Sequence, residues 1–248
     1  MISSPTWQPP PENLLLGYED IHVWRAFLDL DVPYIQDLYA TLSADEQERS
    51  ARFHFQRDQN RFIVARGTLR AILGRYLNVH PRQLAFQYGP YGKPSLTSES
   101  SDGKLFFNLA HSQRLGLFAI SYGREVGVDI EYVRNDLEDD KIAERFFSPR
   151  EVATLKQVPP NRRKEAFFNC WTRKEAYIKA RGEGLSLPLE KFDVSLVPGE
   201  PAMLMNTQDD ELEAKRWSLA ELMPGPGYVA AIAVRGHGWK LQCWQWNQ

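Results

Sequence analysis

Only two cysteines occur in this chain of 248 residues. Cys170 and Cys243 lie too far apart in sequence to read as a disulfide framework or a zinc knuckle, which points to a reducing compartment, with the cytoplasm as the expected location. No run of roughly 18 apolar residues exists, so no helical membrane span is expected. Nor is a secretory leader: Leu14-Leu15-Leu16 is brief, and Glu12 interrupts its approach. Net charge is nearly absent. The 30 Lys and Arg against 32 Asp and Glu give a formal charge of -2, which argues against indiscriminate nucleic-acid binding through phosphate neutralisation. What is present is ordinary globular composition, 43% hydrophobic and 25% charged, in a chain long enough for one large domain or two packed halves.

Residues 1 to about 20 are proline-rich and polar, and are expected to wrap the surface ahead of a strand near Ile21 to Leu28. Ser43 with Glu46 reads as a capping box. Phe62, Ala65, Leu69, Ile72, Leu73 and Tyr76 recur at helical spacing, predicting a helix from about Asp58 to Leu77. Tyr88 to Pro94 and Ser98 to Lys104 read as turns and loops. Strands are expected at Leu105 to Asn108, Leu115 to Ser121 and Val126 to Tyr132. The acidic stretch Asp136 to Asp140 precedes helices near Lys141 to Phe147, Pro149 to Gln157 and Arg162 to Arg181, the last ended by Gly182 and Gly184. Short strands follow at Phe192 to Leu196, Trp217 to Leu222, Tyr228 to Val234 and Trp239 to Trp246. The fold class is therefore α+β. A loose likeness between Leu115 to Ser121 and Tyr228 to Val234 hints at duplication.

Along Val126 to Glu131, strand alternation sends Val126, Val128 and Ile130 to one face and Asp129 and Glu131 to the other. Aspartate is disfavoured in strands, and neighbouring carboxylates on one face repel. A bound cation resolves both oddities, and a solvated sheet face is the alternative. On the later helix Glu175 and Lys179 stack at i, i+4, a spacing that equally describes a surface ion pair. Three carboxylates without a histidine cluster suit a hard cation such as magnesium on a phosphorylated substrate rather than zinc.

At this point the chain resembles the 4'-phosphopantetheinyl transferases of the large, surfactin-synthetase-activating type, including cyanobacterial members. The matching pieces, in order, are Gly92-Lys93-Pro94, Phe107 to Ser112, Gly127 to Glu131, Arg145 to Glu151, Trp171 to Lys179 and Gly182 to Leu185. The resemblance implies a single-chain pseudo-dimer of two similar α+β halves, 1–122 and 123–248, with coenzyme A as co-substrate in the cleft between them. It implies magnesium, with manganese able to substitute, on Asp129, Glu131 and Glu175, and coenzyme A contacts from Arg49, Arg61, Arg66, Lys93, Pro94, Ala110, His111, Ser112, Asp129, Lys174 and Lys179. Glu46 stands where such enzymes often carry lysine, and Ala110 where many carry serine.

The implied reaction moves the phosphopantetheine arm to a serine of an acyl or peptidyl carrier protein of fatty-acid, polyketide or nonribosomal-peptide synthesis, releasing adenosine 3',5'-bisphosphate. Lys179 would add positive charge at the leaving oxygen. Glu175 is the favoured base, directly or through a metal-bound water, and Glu151 the other candidate. The enzyme is expected to act as a monomer without nucleic-acid or membrane partners. A magnesium-dependent phosphoesterase or nuclease, and a non-catalytic coenzyme A-binding module, are the competing classes.

Overall fold

The computed structural model describes residues 6–134, 139–208 and 210–247. Asp136 to Glu138 of the acidic stretch therefore lie outside the described residues. Among the described residues, ten of the eleven strands and all six α-helices are arranged twice over in one order. The first series is β1 (Asp20–Phe27), α1 (Val32–Tyr39), α2 (Ala44–Ala51), α3 (Gln56–Leu77), β2 (Phe86–Tyr88), β3 (Pro94–Leu96), β4 (Leu105–Ser112) and β5 (Leu115–Tyr122). The second is β6 (Val126–Tyr132), α4 (Asp139–Phe146), α5 (Pro149–Gln157), α6 (Pro160–Arg181), β7 (Phe192–Val194), β8 (Leu204–Thr207), β9 (Trp217–Leu222) and β10 (Tyr228–Arg235). A last strand, β11 (Lys240–Gln245), follows.

The pairing repeats as well. One sheet runs β11-β1-β5-β4 and the other β6-β10-β9, so β1-β5-β4 and β6-β10-β9 have the same topology. The small antiparallel pairs β2-β3 and β7-β8 match likewise. The faint likeness between Leu115 to Ser121 and Tyr228 to Val234 is thus that of β5 and β10, the central strands of each repeat. Residue correspondences follow from register: Ile21 pairs with Ser121 and Val126 with Val234, each partner the seventh residue of an eight-residue strand. Trp24 therefore corresponds to Asp129, and Ala26 to Glu131. Both long helices have 22 residues, so their sixteenth positions are Ala71 and Glu175 and their twentieth Arg75 and Lys179.

Strand alternation sorts the layers. Ile21, Val23, Leu117 and Ala119 of the first sheet meet Val126, Val128, Ile130, Ile232 and Val234 of the second in a buried cluster between the sheets. On the opposite face of the first sheet, Trp24, Ala26 and Phe118 pack on Leu69, Ile72 and Leu73 of α3. On the opposite face of the second, Ala231 and Ala233 pack on α6 through Ala176 and Ala180. Small residues bring that helix close: a Cβ at Gly127 would lie 2.2 Å from the Ala176 carbonyl.

Several elements differ from expectation. α1 and β8 fall in stretches where no element is expected, β2 and β3 flank the loop expected at Tyr88 to Pro94, and β4 runs four residues beyond Asn108. The C-terminal unit expected at 123–248 does not keep to itself, because β11 lies parallel to β1 in the first sheet, pairing Val23 with Cys243. Ahead of β1, the indole Nε1 of Trp7 donates to Met223 O at 2.7 Å, carrying the N-terminal segment across the second half. Among the described residues no helix is long and apolar enough to cross a membrane.

Candidate active site

β6 places Asp129 and Glu131 two residues apart on its α6-facing side, as alternation requires. Asp129 is buried, with 4% of its surface open. Its Oδ1 accepts from Lys179 Nζ at 2.6 Å, while Oδ2 is buried without a partner. Burial raises the Asp129 carboxyl above its usual value, against the pull of Lys179. Glu131 is raised by burial and by the Asp129 charge, and its Oε2 accepts from Ser112 Oγ at 3.0 Å. Glu175 is raised by burial, and the Asp129 and Glu131 charges add to that while Lys179 opposes it. Burial works to lower the Lys179 ammonium, but Asp129, Glu175 and Glu131 outweigh it and the net shift is upward. Strand and helix thus bring three carboxylates and one lysine into a single electrostatic unit.

The first half closes this unit from the side. β4 and β6 are joined by side chains rather than by a ladder: Val128 N donates to Asn108 Oδ1 at 2.9 Å and Tyr132 N to Ser112 Oγ at 3.0 Å. Ser112 therefore accepts from β6 backbone and donates to Glu131, a use of the expected Phe107 to Ser112 segment that sequence alone did not reveal. His111 is held below its ordinary value by burial, then by the positive charges of Lys179 and Arg61. Ala110 packs in the apolar layer between the sheets and pairs with Leu117 in the β4–β5 ladder.

The expected basic contacts divide. Arg49 is exposed and, with Arg52, Phe53 and Tyr88, lines a cavity of about 600 Å3 beside α2. The trio does not line this cavity. Glu131 instead opens on a smaller one of about 110 Å3 with Arg134, Ile142, Phe167, Phe168 and Trp171. Arg61 donates twice to Asp29, at 2.6 and 2.9 Å. Arg66 is buried, donating to Glu46 and, at 2.5 Å, to the Tyr88 hydroxyl. Its neighbour Arg70 donates to the other Glu46 oxygen at 2.6 Å and to the carbonyls of Pro81 and Leu84. Glu46, which stands where such enzymes often carry lysine, anchors two arginines, which hold it below its usual value although burial opposes them. Lys93 and Pro94 border a cavity of about 380 Å3, but the Lys93 ammonium donates to Ala180 O at 2.7 Å and Val126 O at 3.3 Å.

Glu151 and Lys174 require correction. Glu151 closes the capping box of α5, accepting from Ser148 N and Val194 N, both at 2.8 Å, and pairs with Lys174 at 2.8 Å. Lys174 is fully buried and also donates to Leu189 O and Phe192 O. Both are buried, Glu151 with 2% and Lys174 with 0% of its surface open. The repeat explains why: Lys174 and Arg70 are both the fifteenth residue of their helices, and each pins a capping-box glutamate to the carbonyls beyond the helix.

The trio fits a hard cation on the chemistry of its donors: three carboxylates, one with a buried oxygen left unpaired. As they stand, no three His, Cys, Asp or Glu side chains among the described residues are gathered closely enough to hold an ion. Lys179 occupies Asp129 in that arrangement.

Comparison with known proteins identifies the family. Residues 125–233 match the model of the 4'-phosphopantetheinyl transferase superfamily, and residues 33–122 that of the 4'-phosphopantetheinyl transferase N-terminal region. The chain is 44% identical over 241 residues to the 4'-phosphopantetheinyl transferase HetI of Nostoc sp., covering 97% of this chain and 98% of that protein. A 4'-phosphopantetheinyl transferase of Bacillus subtilis is 33% identical over 64% of this chain and 68% of its own. One from Bacillus pumilus is 30% identical over 81% and 82%. The cyanobacterial resemblance and the pattern from Gly127 to Lys179 have one source: the chain belongs to the 4'-phosphopantetheinyl transferase superfamily.

Proposed function

We propose that this enzyme transfers the 4'-phosphopantetheine arm of coenzyme A to a serine of an acyl or peptidyl carrier domain, with magnesium held by Asp129, Glu131 and Glu175. The observation that carries the reading is the buried, unpaired Oδ2 of Asp129 within a cluster of three raised carboxyls. A partly desolvated anionic cluster is costly by itself and gains from a divalent cation.

In the reaction the serine oxygen bonds to the phosphorus bearing the pantetheine arm. The bond from that phosphorus to the bridging oxygen breaks, and adenosine 3',5'-bisphosphate leaves. Magnesium on Asp129, Glu131 and Glu175 would supply neutralisation of the pyrophosphate charge. The chain's own residues do the rest. Glu175, whose carboxyl burial raises from its usual value, accepts the serine proton. Lys179, with about a third of its side chain open, extends positive charge toward the departing oxygen. Ser112 orients Glu131 through the 3.0 Å bond. Arg49 and Arg52 at the 600 Å3 cavity supply cations for the nucleotide end.

Intact-mass measurement of an apo-carrier domain incubated with coenzyme A, magnesium and the enzyme tests this directly. The carrier is expected to gain one phosphopantetheine, and Asp129→Ala to abolish the gain with the fold retained. Loss should exceed the roughly 10–100-fold typical of residues that merely support metal ligands. No gain on any acyl or peptidyl carrier, or hydrolysis of coenzyme A without a carrier, would sink the proposal.

A further inference from the structure

The chemistry above leaves Lys93 without a task. It stands in the turn before β3, in the first half, yet its ammonium donates to Val126 O at 3.3 Å and Ala180 O at 2.7 Å in the second. Val126 opens β6 and Ala180 is the penultimate residue of α6. One side chain therefore bridges the two elements that carry all four charged groups of the site. Ala180 O belongs to the last four carbonyls of the helix, which lack intrahelical partners and attract cations. Packing fits the same role. The Lys93 stem crosses Gly182, the left-handed cap of α6 at φ 73°, where an added Cβ would lie 3.0 Å from Lys93 Cδ.

Why the bridge matters follows from the contact it spans. At Gly127 the strand and helix backbones touch, and a Cβ would sit 2.2 Å from Ala176 O and 2.3 Å from Ala180 N. A contact without interdigitating side chains there permits close approach but gives little resistance to sliding of the helix along the strand. Glu175 lies five residues from Ala180, and Asp129 three from Val126, so a slip at the bridged end is transmitted to the carboxylates. Displacements near 1 Å are enough to disable such a site.

We propose that Lys93 is a positioning residue that locks α6 against β6 and so holds Glu175 and Lys179 opposite Asp129 and Glu131, instead of contacting the nucleotide. The proposal rests on the reading of the trio as a divalent-cation site.

The experiment compares wild type, Lys93→Met and Lys93→Arg in three measurements on the full chain. Mn2+ binding to metal-free protein is followed by electron paramagnetic resonance. Binding of adenosine 3',5'-bisphosphate is followed calorimetrically in chelator. Amide exchange is read at residues 126–129 and 176–182. Lys93→Met is expected to weaken Mn2+ binding about tenfold, to speed exchange in both segments, and to leave nucleotide affinity within about twofold. Lys93→Arg, which keeps donors for both carbonyls, should recover most of the Mn2+ affinity. Mn2+ binding and exchange unchanged in Lys93→Met would overturn the proposal, as would weakened nucleotide binding with Mn2+ affinity retained. If wild type itself binds no Mn2+, the cation reading fails, and the exchange measurement alone decides whether the lock exists. Should Lys93→Met not fold, Lys93→Gln, with one donor left, serves in the same comparison.

Discussion

Asp129 has one oxygen on an ammonium and the other on nothing, inside a protein where unpaired buried polar atoms are expensive. The raised carboxyls of Asp129, Glu131 and Glu175 turn that cost into a pH dependence. An acid whose folded pKa exceeds its unfolded value contributes stability that is complete below the unfolded pKa and is lost as pH rises through the folded one. Magnesium should therefore raise the melting temperature more at about pH 7 than at about pH 5, because protonation of the raised carboxyls competes with the ion as pH falls. Glu131→Gln, which removes one of the repelling charges, should narrow that difference; an equal magnesium effect at both pH values would contradict the assignment. Glu151 sits instead in a buried ion pair. Breaking its buried pair with Lys174 should destabilise the protein by about 3–5 kcal/mol, yet Glu151→Gln should retain wild-type turnover at saturating substrate when assayed well below its melting temperature. A fall in turnover there would restore Glu151 to the chemistry.

The elements that carry the site are a strand and a helix held together by what they lack. Gly127 has no side chain, and Ala176 and Ala180 present little of one, so the two backbones meet. Gly127→Ala has no room and should cost at least the roughly 1–3 kcal/mol of overpacking, measurable by urea denaturation. It should weaken Mn2+ binding as well, because α6 must move away from Asp129. Normal stability with normal ion binding would show that the close approach is unimportant. Helix boundaries were readable where local chemistry marks them, at the Ser43 box and at Gly182 in the left-handed cap. The eight residues of α1 and the three-residue strands β2 and β3 were not, being too short for a hydrophobic period to declare itself. The repeat also accounts for having one such site and not two. Where the second half has Asp129 beneath Lys179, the first has Trp24 beneath Arg75, whose guanidinium lies 5.4 Å from the indole ring centroid. Ala26 and Ala71 replace the two glutamates, so the same framework holds an aromatic contact in place of a charged cluster.

Across the whole molecule the halves are joined by the apolar layer between the sheets, by the β4 to β6 seam, and by a chain terminus that returns to its start. β11 covers β1 over six residue pairs, and Trp246 sets its ring centroid 5.7 Å from that of Trp24. Truncation after Gly238 should expose the β1 edge and cost several kcal/mol, on the scale of about 3–5 kcal/mol for a single large aromatic lost from a core. A urea midpoint equal to that of the full chain would show β11 to be dispensable. Residue identity alone determined the fold class, the positions of the long helices and the nature of the charged trio, because alternation along β6 and helical spacing on α6 are local properties. The joining of Asp129 to Lys179, the inward turn of Lys93, and the burial of Glu151, Lys174 and Arg66 were decided only in the tertiary structure. Each depends on which backbone carbonyl or carboxylate another element brings within about 3 Å, a separation that no spacing along the chain encodes.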